Sequence, residues 1–147
     1  MPSIKWGIKH EKAALKSCER IMGVRTNSCG LFPHKEWDFF GATPDALSAD
    51  DKTVIEIKCP YSTRLEKPQK CSYVDPKGSK LVHKKYYAQV QAQMLITGIN
   101  RCDFVIWTTK GTMILHVKMC ESFCEKLLES VNIYYQRVFL PLLQNAN

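Results

Sequence analysis

Three charged residues carry the most specific chemical signal in the chain. Asp45 closes the segment Gly41-Ala42-Thr43-Pro44-Asp45, and Glu56-Ile57-Lys58 follows after a further strand and turn. A period-2 strand places Glu56 and Lys58 on one side and sends Ile55 and Ile57 the other way, into the core. On an open surface such a carboxylate and ammonium would be an ion pair of small worth. With Asp45 on the neighbouring strand of a hairpin, however, two carboxylates converge beside a backbone carbonyl. That is a hard-oxygen site suited to Mg²⁺. A lysine next to it can hold or activate an attacking water. Short patterns of common residues also arise by chance, so the elements that carry these side chains decide how far the pattern reaches.

Helical spacing of Ile8, Leu15, Cys18, Ile21 and Met22 predicts a first helix over Ile8–Met22, with Gly23 as its stop. Glu36–Ala42 and Thr53–Lys58 read as strands, joined through the polar turn Ser48–Lys52. Pro44 and Pro60 fit strand ends, since neither donates a ladder hydrogen bond. Residues 62–83 contain Pro68, Pro76 and Gly78 and read as a mobile connection with room for one helical turn. A helix over His83–Thr97 ends at Gly98. Two strands, Cys102–Thr109 and Thr112–Lys118, form a hairpin through Lys110-Gly111. The last helix spans Glu121–Leu140, with Ser122 and Glu125 as a capping box and Phe123, Leu127, Val131, Tyr134 and Val138 as its apolar stripe. The order predicts an α/β domain, a mixed central sheet flanked by helices.

On these elements, four segments in order resemble the lambda-type phage exonucleases, the YqaJ-like viral recombinase family of the PD-(D/E)xK nucleases. They are Trp6-Gly7-Ile8-Lys9-His10-Glu11, Thr43-Pro44-Asp45, Glu56-Ile57-Lys58-Cys59-Pro60 and Tyr86-Tyr87-Ala88-Gln89-Val90-Gln91. The resemblance covers nearly the whole chain. It implies a restriction-endonuclease-like core and hydrolysis of DNA phosphodiesters, one strand of a duplex from its end. Carried over, Asp45, Glu56 and the backbone carbonyl of Ile57 would ligate Mg²⁺, or Mn²⁺ in its place. Glu11 would reach in, directly or through a water, toward a second ion. Lys58 would position the water, and Gln89 would orient Lys58 or the water. Thr43 would contact phosphate and Tyr86 would line the site. The resemblance further implies a homotrimeric ring and a single-strand annealing protein as partner. The family's upstream Arg and Ser, which hold a 5′ phosphate, have no counterpart in the five residues before Trp6. The expectation is one nuclease domain over residues 1–147, lacking that upstream segment, with the 5′ polarity open. Ala46 replaces a glycine common after the Asp, a change that removes no ligand.

Composition agrees with a soluble globular domain. The 147 residues are 45% hydrophobic and 24% charged, and the 15 aromatic residues require a core. No apolar run reaches the ~18–20 residues of a membrane span, and no secretory h-region opens the chain. Seven irregularly spaced cysteines fit an intracellular, reducing compartment better than a disulfide framework. The net charge of +7 is concentrated between Arg64 and Lys85, where seven Lys/Arg face two acids. The remainder sums close to neutral. Within that block Arg64, Lys67, Lys70, Lys84 and Lys85 are expected to grip a DNA backbone, a contact without sequence information.

Other readings carry less. His116, Cys120 and Cys124 lack the paired spacing and the fourth ligand of a zinc site. Cys59 has no His partner in pattern and reads as a structural thiol. No glycine-rich phosphate loop is present, which excludes an ATP-driven motor in this segment. Gln89, Gln91 and Gln93 cannot share one face, so at least one is expected to be exposed. Two alternatives use the same core: a non-catalytic module that binds DNA ends, and a structure-specific or nicking endonuclease.

Overall fold

The computed structural model describes residues 1–146. Helix α1 occupies Pro2–Met22, starting earlier than the apolar spacing predicts, because Pro2 at the first turn lacks only a donor that has no partner there anyway. Gly23, at φ 66°, ends it by donating its N–H to Glu19 O.

Five strands form the main sheet: β1 (Thr26–Asn27), β4 (Ala46–Ser48), β5 (Val54–Lys58), β6 (Arg101–Thr108) and β7 (Gly111–Lys118), in the order β1-β4-β5-β6-β7. β5 and β6 are parallel, and the other pairs are antiparallel. The parallel pair needs a crossover, which α2 (Lys84–Thr97) supplies. The mixed α/β sheet is as the sequence predicts. One predicted strand is not. Of Glu36–Ala42, only Gly41–Ala42 is extended (β3), pairing with β2 (Phe32–Pro33) in a small separate sheet. Phe39 is drawn out of the run to stack on Phe139, ring centroids 4.6 Å apart.

The sheet separates two cores. On one face Ala14 and Cys18 of α1 pack on Ala46, Ile55, Ile57 and Val105. On the other, Val90 and Met94 of α2 pack on Val54, Phe104 and Ile106. Fully burying each large apolar chain contributes about 1.5–3 kcal/mol. β5 therefore gives Ile55 and Ile57 to the α1 core and turns Glu56 toward α2.

Residues 62–83 are tied down rather than loose. Arg64 O accepts from Thr109 N (3.0 Å), Glu66 O accepts from Thr108 Oγ1, and Cys71 and Val74 are buried. A 3₁₀ turn spans Pro68–Lys70. The last helix also departs from expectation. α3 (Glu121–Tyr134) passes through a π turn (Tyr135–Phe139) into α4 (Leu140–Asn145). Pro141 cannot donate the regular bond, and the wider turn rotates the apolar stripe. Phe123, Leu127 and Val131 stay half-buried, whereas Tyr134 and Val138 are exposed and Tyr135 and Phe139 take over. Ser122 makes no cap. Cys120 holds the N-cap position without a side-chain capping bond. Among the described residues no helix is long and apolar enough to cross a membrane.

Candidate active site

At the end of β5 the three residues of the motif meet. Asp45 stands one residue before β4, and its Oδ2 accepts from Ile57 N at 2.7 Å, which locks the hairpin register. Glu56 is 4% exposed. Its Oε1 accepts from Lys58 Nζ at 3.2 Å and from Gln89 Nε2 at 3.1 Å, while Gln89 Oε1 accepts from Lys58 Nζ at 3.3 Å. A closed triangle of carboxylate, ammonium and amide results. Lys58 Nζ also lies 4.3 Å over the Tyr86 ring, which itself packs edge-on against Tyr73. A cation above that face is attracted by the ring quadrupole. The triangle and the ring together leave Lys58 few rotamers.

Glu11 enters from α1, outside the sheet, on the side of Asp45. Burial first, then Asp45, raise the proton affinity of Glu11, and Lys58 opposes the rise. Burial and then Asp45 likewise raise Glu56 above the ordinary carboxylate range, against Gln93 and Lys58. Crowded negative charge is thus incompletely offset by the protein's own cation.

Gln93 is the residue that sequence reasoning missed. Its Nε2 donates to Glu56 Oε2 at 2.9 Å, and its Oε1 is a buried acceptor with no partner. Gln89 and Gln93 lie four residues apart on one face of α2, and that spacing beside a buried strand glutamate was the available signal. None of the three glutamines is exposed, contrary to expectation. Gln91 is buried on the opposite side of α2, donating to Lys118 O (2.9 Å) and accepting from Cys120 N (2.8 Å). Replacing Gln93 by methionine, similar in length but without donors, should slow turnover about 10-fold by freeing one oxygen of Glu56, since hydrogen bonds to charged groups contribute roughly 1.5–3 kcal/mol. Single-turnover rates would check this, and an unchanged rate would make Gln93 a packing residue only.

The donor set fits a divalent cation. Asp45, Glu56 and Glu11 offer hard oxygens, those of Glu56 and Glu11 with raised proton affinity, and the unpartnered Oε1 of Gln93 adjoins Glu56. Among the described residues, no group of three His, Cys, Asp or Glu is already arranged as a ligand shell. The carboxylates are instead engaged by Ile57 N, Lys58, Gln89 and Gln93.

The remaining sequence candidates lie around this centre. Thr43 is exposed on the approach to Asp45. Arg64 stacks 3.8 Å over Tyr61, and Tyr61, Lys58, Tyr73 and Tyr86 line a pocket of about 260 Å³ with Ser3 and Gly7 of α1. Lys67, Lys70, Lys84 and Lys85 are exposed, and among the described residues none of them has an ion pair. Lys84 and Lys85 occupy the first turn of α2, which has no acidic residue, at the end where a cation is disfavoured and an anion welcome. The thiol of Cys59 is pushed up to about 12 by burial and the charges of Glu11 and Asp45, in keeping with a structural cysteine. His116 Nδ1 is engaged with Asp103 at 2.6 Å, and Cys124 Sγ with Gln91.

This architecture is an exonuclease fold. LHK-Exo in complex with dAMP matches it with a TM-score of 0.83 at 23% identity, over 98% of this chain and 72% of that one. The alkaline exonuclease LHK-Exo from Laribacter hongkongensis matches with a TM-score of 0.79 at 23% identity, over 98% and 74%. A phage-related exonuclease from Haemophilus somnus 129PT gives 0.68 at 16%, over 95% and 73%. No curated protein matches in sequence. Residues 1–100 match the model of the YqaJ-like viral recombinase domain, and the chain belongs to that family.

Proposed function

We propose that the protein is a Mg²⁺-dependent deoxyribonuclease, an exonuclease that hydrolyses linear duplex DNA from its 5′ end during recombination or DNA processing. The observation that carries the reading is the closed Glu56–Lys58–Gln89 triangle abutting Asp45. Asp45, Glu56, Glu11 and the Ile57 carbonyl would hold the cation, Mg²⁺ or Mn²⁺, with room in the donor set for two. Bound there, it offsets phosphodiester charge and makes water a nucleophile near neutral pH.

The chain's own groups do the positioning. Gln89 and Glu56 fix the Lys58 ammonium, whose one remaining proton is free to orient the attacking water. Gln93 and Gln89 aim the two oxygens of Glu56. Lysines and Arg64 around the site grip phosphates without reading bases, so weak sequence preference follows. A module that merely binds DNA ends gains nothing from three mutually repelling acids.

Linear duplex labelled at either end, incubated with Mg²⁺ or EDTA beside a closed circle, tests the proposal. The expected result is Mg²⁺-dependent loss of the linear DNA alone, with the 5′ label released first. Early 3′ release would reverse the polarity, and cutting of the circle would make it an endonuclease. Binding without cleavage at any Mg²⁺ concentration would overturn the nuclease reading.

A further inference from the structure

The outer face of α1 holds a charge feature unused by the site. Lys5, Lys9, Lys12, Lys16 and Arg20 recur at steps of four, three, four and four residues. All five are exposed. By helical periodicity they fall in one stripe, roughly 22 Å long and about 140° around the axis from Glu11. The near-neutral sum outside residues 64–85 conceals it. Residues 1–25 hold six Lys/Arg against two acids, while residues 26–63 hold three against six.

Neither acid of α1 makes an ion pair with the stripe. Glu11 faces the site, and Glu19 accepts from Thr26 N at 3.1 Å. Among the described residues, none of the five cations has an ion pair. Each stands one helical turn from the next like charge, an arrangement that destabilises a helix. An ordinary solvated face intersperses acids with its bases. At the C-terminal end of the stripe, Lys16, Arg20 and Arg25 line an open concavity of about 610 Å³ together with Glu19, Ala13 and Val24, three cations to one acid.

We propose that this face of α1 is a second DNA-binding surface, a rail for the phosphate backbone on the far side of the helix that carries Glu11. A duplex presents one negative charge per about 1.7 Å, so the stripe faces on the order of a dozen charges, and its cations release the counterions of about five of them. The contact is to backbone only, because five cations without aromatic or amide partners read no base. The identity of the polyanion as DNA rests on the nuclease reading above. The surface would hold substrate between cuts and lengthen the run of hydrolysis per encounter.

The test is the salt dependence of binding to a labelled duplex in EDTA, where no cleavage occurs. Replacing Lys5, Lys9, Lys12 and Lys16 together by glutamine should lower the slope of log K against log salt by roughly 3 to 4, about 0.9 for each phosphate no longer neutralised. The four-arginine variant, which keeps the charge, should restore the slope. Circular dichroism melting of both variants confirms that α1 is intact. If the wild type binds and cuts duplex while the glutamine variant keeps its slope, the rail is refuted and the nuclease reading stands. A wild type that neither binds nor cuts removes both. Phosphatidylserine vesicles captured by the wild type alone, with the DNA slope unchanged, would make the face a membrane contact and overturn the proposal.

Discussion

Lys58→Ala is expected to lower the Mg²⁺-dependent rate of duplex hydrolysis by about 10²- to 10⁴-fold, the range for a positioned group that acts on the reacting water. The loss should fall on kcat, with KM changed by less than about tenfold, because the Lys58 ammonium is already committed. It lies 3.2 Å from Glu56, 3.3 Å from Gln89 and over the Tyr86 ring, and little of its charge is left for ground-state phosphate. Lys58→Arg should not rescue the rate. A planar fork of five donors cannot occupy the position of a compact ammonium inside that triangle. Steady-state kinetics on a duplex of fixed length would separate the cases. A rise in KM with kcat retained would make Lys58 a phosphate anchor, and full activity in the alanine variant would remove it from the chemistry.

The centre of this site is legible in the sequence because strands and turns constrain it tightly. Alternation in Val54–Lys58 fixes which side Glu56 and Lys58 share, and one hydrogen bond from Ile57 N to Asp45 then sets the hairpin. The short strands are a different matter. β1, β2 and β3 have two residues each and β4 three, too few for any period to show. Glu36–Phe40 has the composition of a strand, yet Phe39 leaves it to cover Phe139, a partner a hundred residues away. Tertiary packing overrode propensity there. Gln93 escaped for a related reason. A glutamine in a helix reads as polar surface until a buried carboxylate is known to face it. The α1 stripe was hidden differently, since net charge sums over a segment whereas a helix sorts charge by angle.

Glu56→Gln should abolish hydrolysis and at the same time leave the metal-free protein at least as stable as the wild type. Gln93 Oε1 is buried without a partner. In the wild type Gln93 must turn its Nε2 toward the carboxylate, which strands that oxygen. With glutamine at 56, the side-chain carbonyl keeps the bonds from Lys58 and Gln89, and the new amide donates to Gln93 once that side chain flips. The flip moves the unpaired atom from Gln93 Oε1 to Gln93 Nε2, so the count of buried pairs is unchanged and the gain comes from removing the charge. The charge itself is what the fold resists, since burial and Asp45 raise the Glu56 carboxyl above its ordinary value. The sign follows from linkage. A carboxyl whose folded pKa lies above its unfolded value binds more protons when folded, so stability falls as pH rises from about 4.5 through the raised pKa. The cost is complete above that window and absent below it. In EDTA, thermal melting should place Glu56→Gln at or above the wild type at pH 8, with the difference shrinking toward pH 4.5. Glu56→Ala should melt lower, because it strands buried donors at about 1–3 kcal/mol each, with roughly 2–4 °C per kcal/mol at this chain length. Adding Mg²⁺ should raise the melting temperature of the wild type and do less for the glutamine variant. A glutamine variant less stable than wild type at pH 8 without metal would mean that the Lys58 ion pair outweighs the burial of the carboxylate, and that the site is held together by charge rather than strained by it.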